Sequence, residues 1–292
     1  MTPTRNVRSA RPRTRIRFVV AAAISLLAAI LVPAALAAPA SAATGTYYVA
    51  LGDSYTAGYG LPTQLTSPAI IAGCGQSSNS YPHLIAAHYG IALDDRACSG
   101  ATTAAFTSSQ GANPAQDSAL GTSTRLVTIS MGGNDVGGGT AGCLGATSSC
   151  QGGSATYTAE LNYLASHLSG DIAHIKSLAP NALIVYIGYL SGLPSYSTWV
   201  STHCSTNLPY YPGDITYLDN AGQQLNNVLK AAAQAEGVTF VDSLSMSMGH
   251  DPCEPESTRW VEGIHPVAPA TATLHPNLAG EAAYAAMIEA VI

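Results

Sequence analysis

The sequence predicts an α/β domain of three layers, with helices on both faces of a mainly parallel sheet of about five strands. Short apolar runs rich in β-branched and aromatic residues recur near 46–51, 91–96, 125–131, 182–188 and 238–242, and helical patterns stand between them. Alternation of this kind produces a parallel sheet covered on both sides. Length agrees: once a leader is removed, 250 residues remain, enough for one large domain.

The leader is first in chain order. Arg5, Arg8, Arg11, Arg13, Arg15 and Arg17 give a basic start, an apolar run extends from Phe18 to about Ala38, and Ala40-Ser41-Ala42 supplies a small-residue cleavage site. Residues 1–42 read as a secretory signal peptide and 43–292 as the exported domain. The apolar run is long enough to span a bilayer, but Pro33 and the small-residue tail favour cleavage, which leaves no membrane anchor. Six of the 11 basic residues and none of the 17 acids lie in the leader, so five bases face 17 acids in the mature chain, a net charge of −12. Such a chain has little positive field to hold a phosphate backbone, and nucleic acid is not an expected partner.

The first strand runs into "GDSY", and "SYPHLIAAHYG" then forms a short helix. The second strand leads to "RACSGATT" and the third to "ISMGGND"; a Gly/Ser-rich surface loop follows from Gly137 to Ser154. Leu161, Leu164, Leu168, Ile172 and Ile175 lay one apolar stripe along a helix before the fourth strand, "VYIGY". Leu218, Ala221, Leu225, Leu229 and Ala232 repeat the pattern before the fifth, and "NLAGEAAYAAMIEAVI" closes the fold as a helix. Cys74, Cys98, Cys143, Cys150, Cys204 and Cys253 all lie in the exported part, where disulfides are the natural reading. Six cysteines allow 15 connectivities. Pairing neighbours, 74 with 98, 143 with 150 and 204 with 253, is the simplest, and no Cys-x-x-Cys spacing suggests a metal.

A serine becomes a nucleophile when a base can take its proton and donors can hold the oxyanion formed on its target. In open parallel sheets, ligands bind beyond the carboxyl ends of the strands. Ser54, Gly100 and Asn134 follow the first, second and third strands and point to that one rim. The N–H groups of Ser54 and Gly100 with the Asn134 amide would make a three-donor oxyanion hole. Asp53 is expected to satisfy loop N–H groups rather than to act in catalysis. Of eight histidines, His83, His88, His167 and His174 lie in helical stretches, and His203 and His250 neighbour cysteines. His265 and His275 remain as candidate bases. His275 stands just before the terminal helix, where Pro276 and Asn277 can start that helix and fix the ring outside it.

These blocks resemble the SGNH, or GDSL-type, hydrolase family. "GDSY", "CSGAT", "GGND" and "HPNLAG" occur in the family's order across the exported chain. The cysteines and "GHDPCEPESTRW" are further similar to its secreted actinomycete lipases and esterases. The resemblance implies a flavodoxin-like fold, Ser54 and His275 as catalytic residues, an oxyanion hole of Ser54, Gly100 and Asn134, and no metal or organic cofactor. The family usually places an aspartate three residues before its histidine; here that residue is Ala272. The actinomycete relatives use a backbone carbonyl instead, so the Ala272 C=O is the expected partner of the ring. Glu262 restores acid-x-x-histidine spacing at His265; the bland alternative is a surface acid paired with Arg259.

The implied activity is that of a secreted, monomeric, extracellular serine esterase or lipase acting on acylglycerol or phospholipid esters. A polysaccharide acetyl- or feruloyl-esterase and an acyltransferase would use the same residues, and a non-catalytic binding domain is the contrasting class. Tyr55, Tyr59, Leu61 and Leu65, with Tyr189, Leu190, Leu193, Tyr196, Trp199, Tyr210 and Tyr211, supply either an apolar wall for an acyl or aryl group or cover for the disulfide-linked core.

Overall fold

The computed structural model describes residues 47–66, 73–140 and 142–292. The expected leader, 1–42, lies outside them. Five parallel strands, β1 (Tyr48–Gly52), β2 (Leu93–Asp95), β3 (Leu126–Ser130), β4 (Leu183–Ile187) and β5 (Thr239–Val241), form one sheet in the order β2-β1-β3-β4-β5. The helices are α1 (Ser54–Ala57), α2 (Tyr81–Tyr89), α3 (Ser154–Leu178), α4 (Tyr196–Ser201), α5 (Pro212–Ala235), α6 (Ser243–Met246) and α7 (Leu278–Glu289).

Side-chain alternation along the strands divides the core in two. Val49 and Leu51 of β1 face one side, where Leu164, Leu168 and Ile172 of α3 and Leu225 and Leu229 of α5 cover the sheet. Tyr48 and Ala50 face the other, under Tyr81 and Ile85 of α2 and Tyr284 and Ile288 of α7. The predicted three-layer architecture is therefore the observed one, and both predicted apolar stripes are buried. A smaller cluster of Trp199, Leu208, Tyr210, Ile215 and Leu218 packs with Cys143 and Cys204 beneath the loops. The disulfides join neighbours: Cys74–Cys98, Cys143–Cys150 and Cys204–Cys253.

The order places the strand bearing Ser54 between the two that lead to Gly100 and Asn134. Neighbouring strands lie about 4.8 Å apart, so three chain segments reach one rim side by side.

Candidate active site

At the end of β1 the backbone turns without a side chain in the way: a Cβ on Gly52 would stand 2.8 Å from the Ser130 carbonyl oxygen and closer still to Thr56. Asp53 then caps α1, its Oδ1 accepting from the Tyr55 N–H at 2.9 Å. Ser54 is thus the first residue of a one-turn helix. Asp53 Oδ2 accepts from the Tyr189 hydroxyl, which itself accepts from the Gly133 N–H at 2.8 Å. One buried tyrosine consequently joins the turn carrying Ser54 to the 3-10 turn carrying Asn134.

His275 reaches Ser54 across a sequence separation of 221 residues: Nε2 lies 2.8 Å from the Ser54 Oγ. Its Nδ1 lies 2.8 Å from the carbonyl oxygen of Thr273, not that of Ala272. The expectation for Ala272 is therefore corrected by one residue, and the cause is local. Leu274 adopts φ 58°, a left-handed conformation that costs a non-glycine residue about 1–3 kcal/mol. That turn swings the carbonyl two residues before the ring into place, while Ala272 packs against Gly60, where a Cβ would meet the Ala272 Cβ at 2.4 Å. A carbonyl accepts only, so Nδ1 carries the proton and Nε2 presents its lone pair to Ser54.

The strained turn is held from several sides. The Leu274 N–H donates to the Glu262 carbonyl at 3.0 Å, the Glu262 N–H to the His275 carbonyl at 3.0 Å, and the Tyr55 hydroxyl to the Leu274 carbonyl at 2.6 Å. Glu262 is paired with Arg259, as one expectation had it, at 2.6 Å, but the pair is buried rather than superficial. Its other oxygen accepts at 2.9 Å from Asn277, whose own Oδ1 caps α7 by accepting from the Gly280 N–H. Glu262 thus supports the His275 loop instead of serving His265, which is exposed.

The donor groups assemble as the strand order demands. The Cys98 N–H donates to the Gly52 carbonyl at 3.0 Å, which docks the Gly100 loop beside β1, and Gly100 adopts φ 78°. Asn134 Nδ2 donates one proton to the Ala101 carbonyl at 2.9 Å and keeps a second. The N–H groups of Ser54 and Gly100 meet no acceptor among the described residues. Four of the other histidines are engaged elsewhere: His88 with Glu289, His174 with Asp117, His167 with Thr103, and His250 stacked on Trp260.

A family model described as the GDSL-like Lipase/Acylhydrolase family matches residues 50–283. The chain belongs to the GDSL-like lipase/acylhydrolase family. Lipase 2 of Streptomyces coelicolor is 39% identical to this GDSL hydrolase over 91% of this chain and 93% of its own. Among solved structures, phospholipase A1 from Streptomyces albidoflavus NA297 matches with a TM-score of 0.69 and 26% identity, covering 85% of this chain and 100% of that one. The extracellular lipase from Streptomyces rimosus matches at a TM-score of 0.67, also at 26% identity, with the same coverage. This GDSL hydrolase is accordingly a lipase or esterase of the α/β type predicted.

Burial tunes the hydrolase's titrating groups. It pushes the Asp53 carboxyl up to about 6, against the pull of the Tyr189 hydroxyl and the Tyr55 N–H. It pushes the His275 imidazole below its ordinary value of 6.5, opposed by the Thr273 carbonyl. At neutral pH the ring is therefore uncharged and able to accept a proton. The rim opens into a cavity of about 370 Å³ lined by Ser54, Asn134 and His275 and walled by Tyr189, Leu190 and Leu193. Among the described residues no lysine or arginine lines it, and its acids are buried Asp53 and half-buried Asp219.

Proposed function

We propose that the protein is a secreted hydrolase of lipid acyl esters, acting through a Ser54 acyl-enzyme. Ser54 Oγ attacks the ester carbonyl carbon while His275 Nε2 takes its proton; the same proton then goes to the departing alkoxide as the C–O bond breaks. Water, deprotonated by His275, attacks the acyl-enzyme and releases the carboxylic acid and Ser54. The oxyanion formed in each half is held by the Ser54 and Gly100 N–H groups and the free proton of the Asn134 amide. The observation that carries this reading is the 2.8 Å contact between Ser54 Oγ and His275 Nε2.

Lipid esters suit an apolar wall without cationic groups, and the relatives named lipase and phospholipase A1 favour the same class. Neutral acylglycerols fit better than phospholipids, because a phosphate would find no lysine or arginine among the described residues of the cavity lining. Three disulfides, a basic and apolar leader at 1–42 and a relative described as extracellular support export. The mature chain acts as a monomer.

The test is hydrolysis of a p-nitrophenyl ester series, with fluorophosphonate labelling, by wild type and Ser54→Ala. Loss of turnover by about 10⁴-fold or more and loss of labelling in a variant that melts normally is the expected outcome. Wild-type turnover in Ser54→Ala would sink the assignment.

A further inference from the structure

The loops that carry Gly100 and Asn134 follow strands that are not neighbours. β2 and β3 flank β1 on opposite sides, about 10 Å apart, so no ladder hydrogen bond ties one loop to the other. Among the described residues, every hydrogen bond between 100–103 and 133–136 involves a side chain, and the bonds run in both directions. Asn134 Nδ2 donates to the Ala101 carbonyl at 2.9 Å. Thr103 donates the other way: its hydroxyl to Asp135 Oδ1 at 2.6 Å and its N–H to Asp135 Oδ2 at 3.0 Å. Both oxygens of Asp135 are thus engaged by one buried residue, which opens the 3-10 turn Thr103–Phe106.

A second layer stands behind this clamp. His167 of α3 brings Nε2 to 3.0 Å from the Thr103 hydroxyl oxygen, while its Nδ1 meets the Tyr163 carbonyl oxygen, one turn back, at 2.6 Å. The hydroxyl has a single proton, and the shorter contact to Asp135 takes it, so the ring approaches the oxygen's lone pairs as a donor. Asp171, one turn further along α3, faces the same ring at 3.8 Å. The two loops are therefore seated on a helix of 25 residues rather than on another loop.

A free carboxylate beside Asn134 would repel a developing oxyanion. Burial pushes the Asp135 carboxyl up, and the Thr103 hydroxyl and N–H, with His167, pull it down. Its hydrogen bonds all go to Thr103, and none leads to Ser54 or His275. The group is thus built into the clamp and takes no part in moving the proton of Ser54.

We propose that Thr103 and Asp135, backed by His167, are positioning residues of the oxyanion hole, holding the Gly100 N–H and the Asn134 amide at the spacing that the oxyanion needs. This rests on the acyl-enzyme reading of Ser54. Donors stabilise an oxyanion only when they are aimed at the place its charge will occupy, and a displacement of about 1 Å can cost about 10²-fold in rate. Serine at 103 keeps both donors of the clamp; valine keeps the shape and loses the hydroxyl.

The experiment compares wild type, Thr103→Val, Thr103→Ser, Asp135→Asn and His167→Leu, with the core change Ile175→Val as control, on p-nitrophenyl butyrate and its thiono analogue. Melting curves and Ser54 labelling by a fluorophosphonate accompany the rates. A thiocarbonyl sulfur accepts hydrogen bonds poorly, so the ratio of oxo to thiono turnover reports on the donors. Thr103→Val is expected to lose about 10- to 100-fold in kcat on the oxo ester, with KM within about twofold of wild type and the ratio falling in step. Thr103→Ser should restore kcat to within about threefold of wild type. Asp135→Asn, which keeps one acceptor oxygen, should fall between them, and His167→Leu should show a smaller loss of the same kind. Ile175→Val should move the melting temperature and leave the ratio alone. An unchanged kcat and ratio in folded Thr103→Val, or an equal loss in Thr103→Ser, would overturn the clamp; if Thr103→Val does not fold, an unchanged ratio in Asp135→Asn overturns it and a reduced one upholds it. Absence of ester hydrolysis and of Ser54 labelling in wild type would instead overturn the acyl-enzyme reading on which the clamp rests.

Discussion

His275 owes its readiness to burial and to one carbonyl. Because burial lowers its pKa, with Thr273 pulling the other way, the neutral ring persists to a lower pH than an ordinary imidazole. The acid limb of kcat/KM on a soluble ester should therefore fall below pH 6.5, the ordinary value. Asp53, pushed up to about 6, titrates in the same region. The Asp53→Asn variant separates the two: if His275 sets the limb, its midpoint stays in place while the plateau changes. A midpoint that moves with Asp53→Asn would assign the limb to the turn. Sequence made Ser54, Gly100, Asn134 and His275 legible because each stands in a short block of small or polar residues after a strand or before a helix. The orienting carbonyl was not legible at the right residue. Which carbonyl meets Nδ1 depends on φ at Leu274, and nothing in the identity of a leucine announces a left-handed backbone.

The segments that support the base are short and closely tied, and their interactions can be cut singly. Glu262→Ala leaves Arg259 buried without its carboxylate and releases Asn277 from its partner. Removing one member of a buried pair costs about 3–5 kcal/mol, and the freed loop should lower kcat more than it changes KM. A loss confined to the melting temperature would show that Glu262 serves the fold alone. Between α2 and α7, Glu281 presents a buried carboxylate oxygen to the Tyr81 N–H at 2.8 Å. Burial holds this carboxyl well above its ordinary 4.5, so it favours the protonated form in the folded chain. Its contribution to stability is complete below pH 4.5 and is lost as pH rises through the folded-state value. Glu281→Gln removes that loss, so the melting temperature of the variant relative to wild type should climb from pH 4.5 to pH 8. A constant difference across that range would contradict the titration. The helical stripes of α3 and α5 were legible because periodicity survives in one sequence. The duties of Tyr55 and Tyr189 were not, because each is defined by a partner far along the chain; for Glu262 the pairing with Arg259 was legible at three residues' spacing, and the contact with Asn277 was not. The expected tyrosine wall divides accordingly: Tyr189 and Leu193 line the cavity, Trp199 and Tyr210 pack beside the disulfides, and Tyr196 and Tyr211 are exposed.

The disulfides act on the unfolded chain with the logarithm of the loops they close. Their sequence separations are 24, 7 and 49 residues. In the chain-entropy account, losing Cys204–Cys253 should cost about 1.7 kcal/mol more than losing Cys143–Cys150. Denaturation of the Cys204→Ser/Cys253→Ser and Cys143→Ser/Cys150→Ser double variants measures the difference; the reverse order would show that native-state packing outweighs loop entropy. Disulfide pairing was legible only as the simplest of several possibilities, since spacing alone does not bring two cysteines together. The separation of 221 residues between Ser54 and His275 has a further consequence, one of timing. A growing chain displays its serine long before its base exists, and even a finished chain is inert until α7 has docked and the Leu274 turn has closed. Hydrolytic competence therefore depends on completion of the whole fold, and the unfolded chain is a harmless precursor.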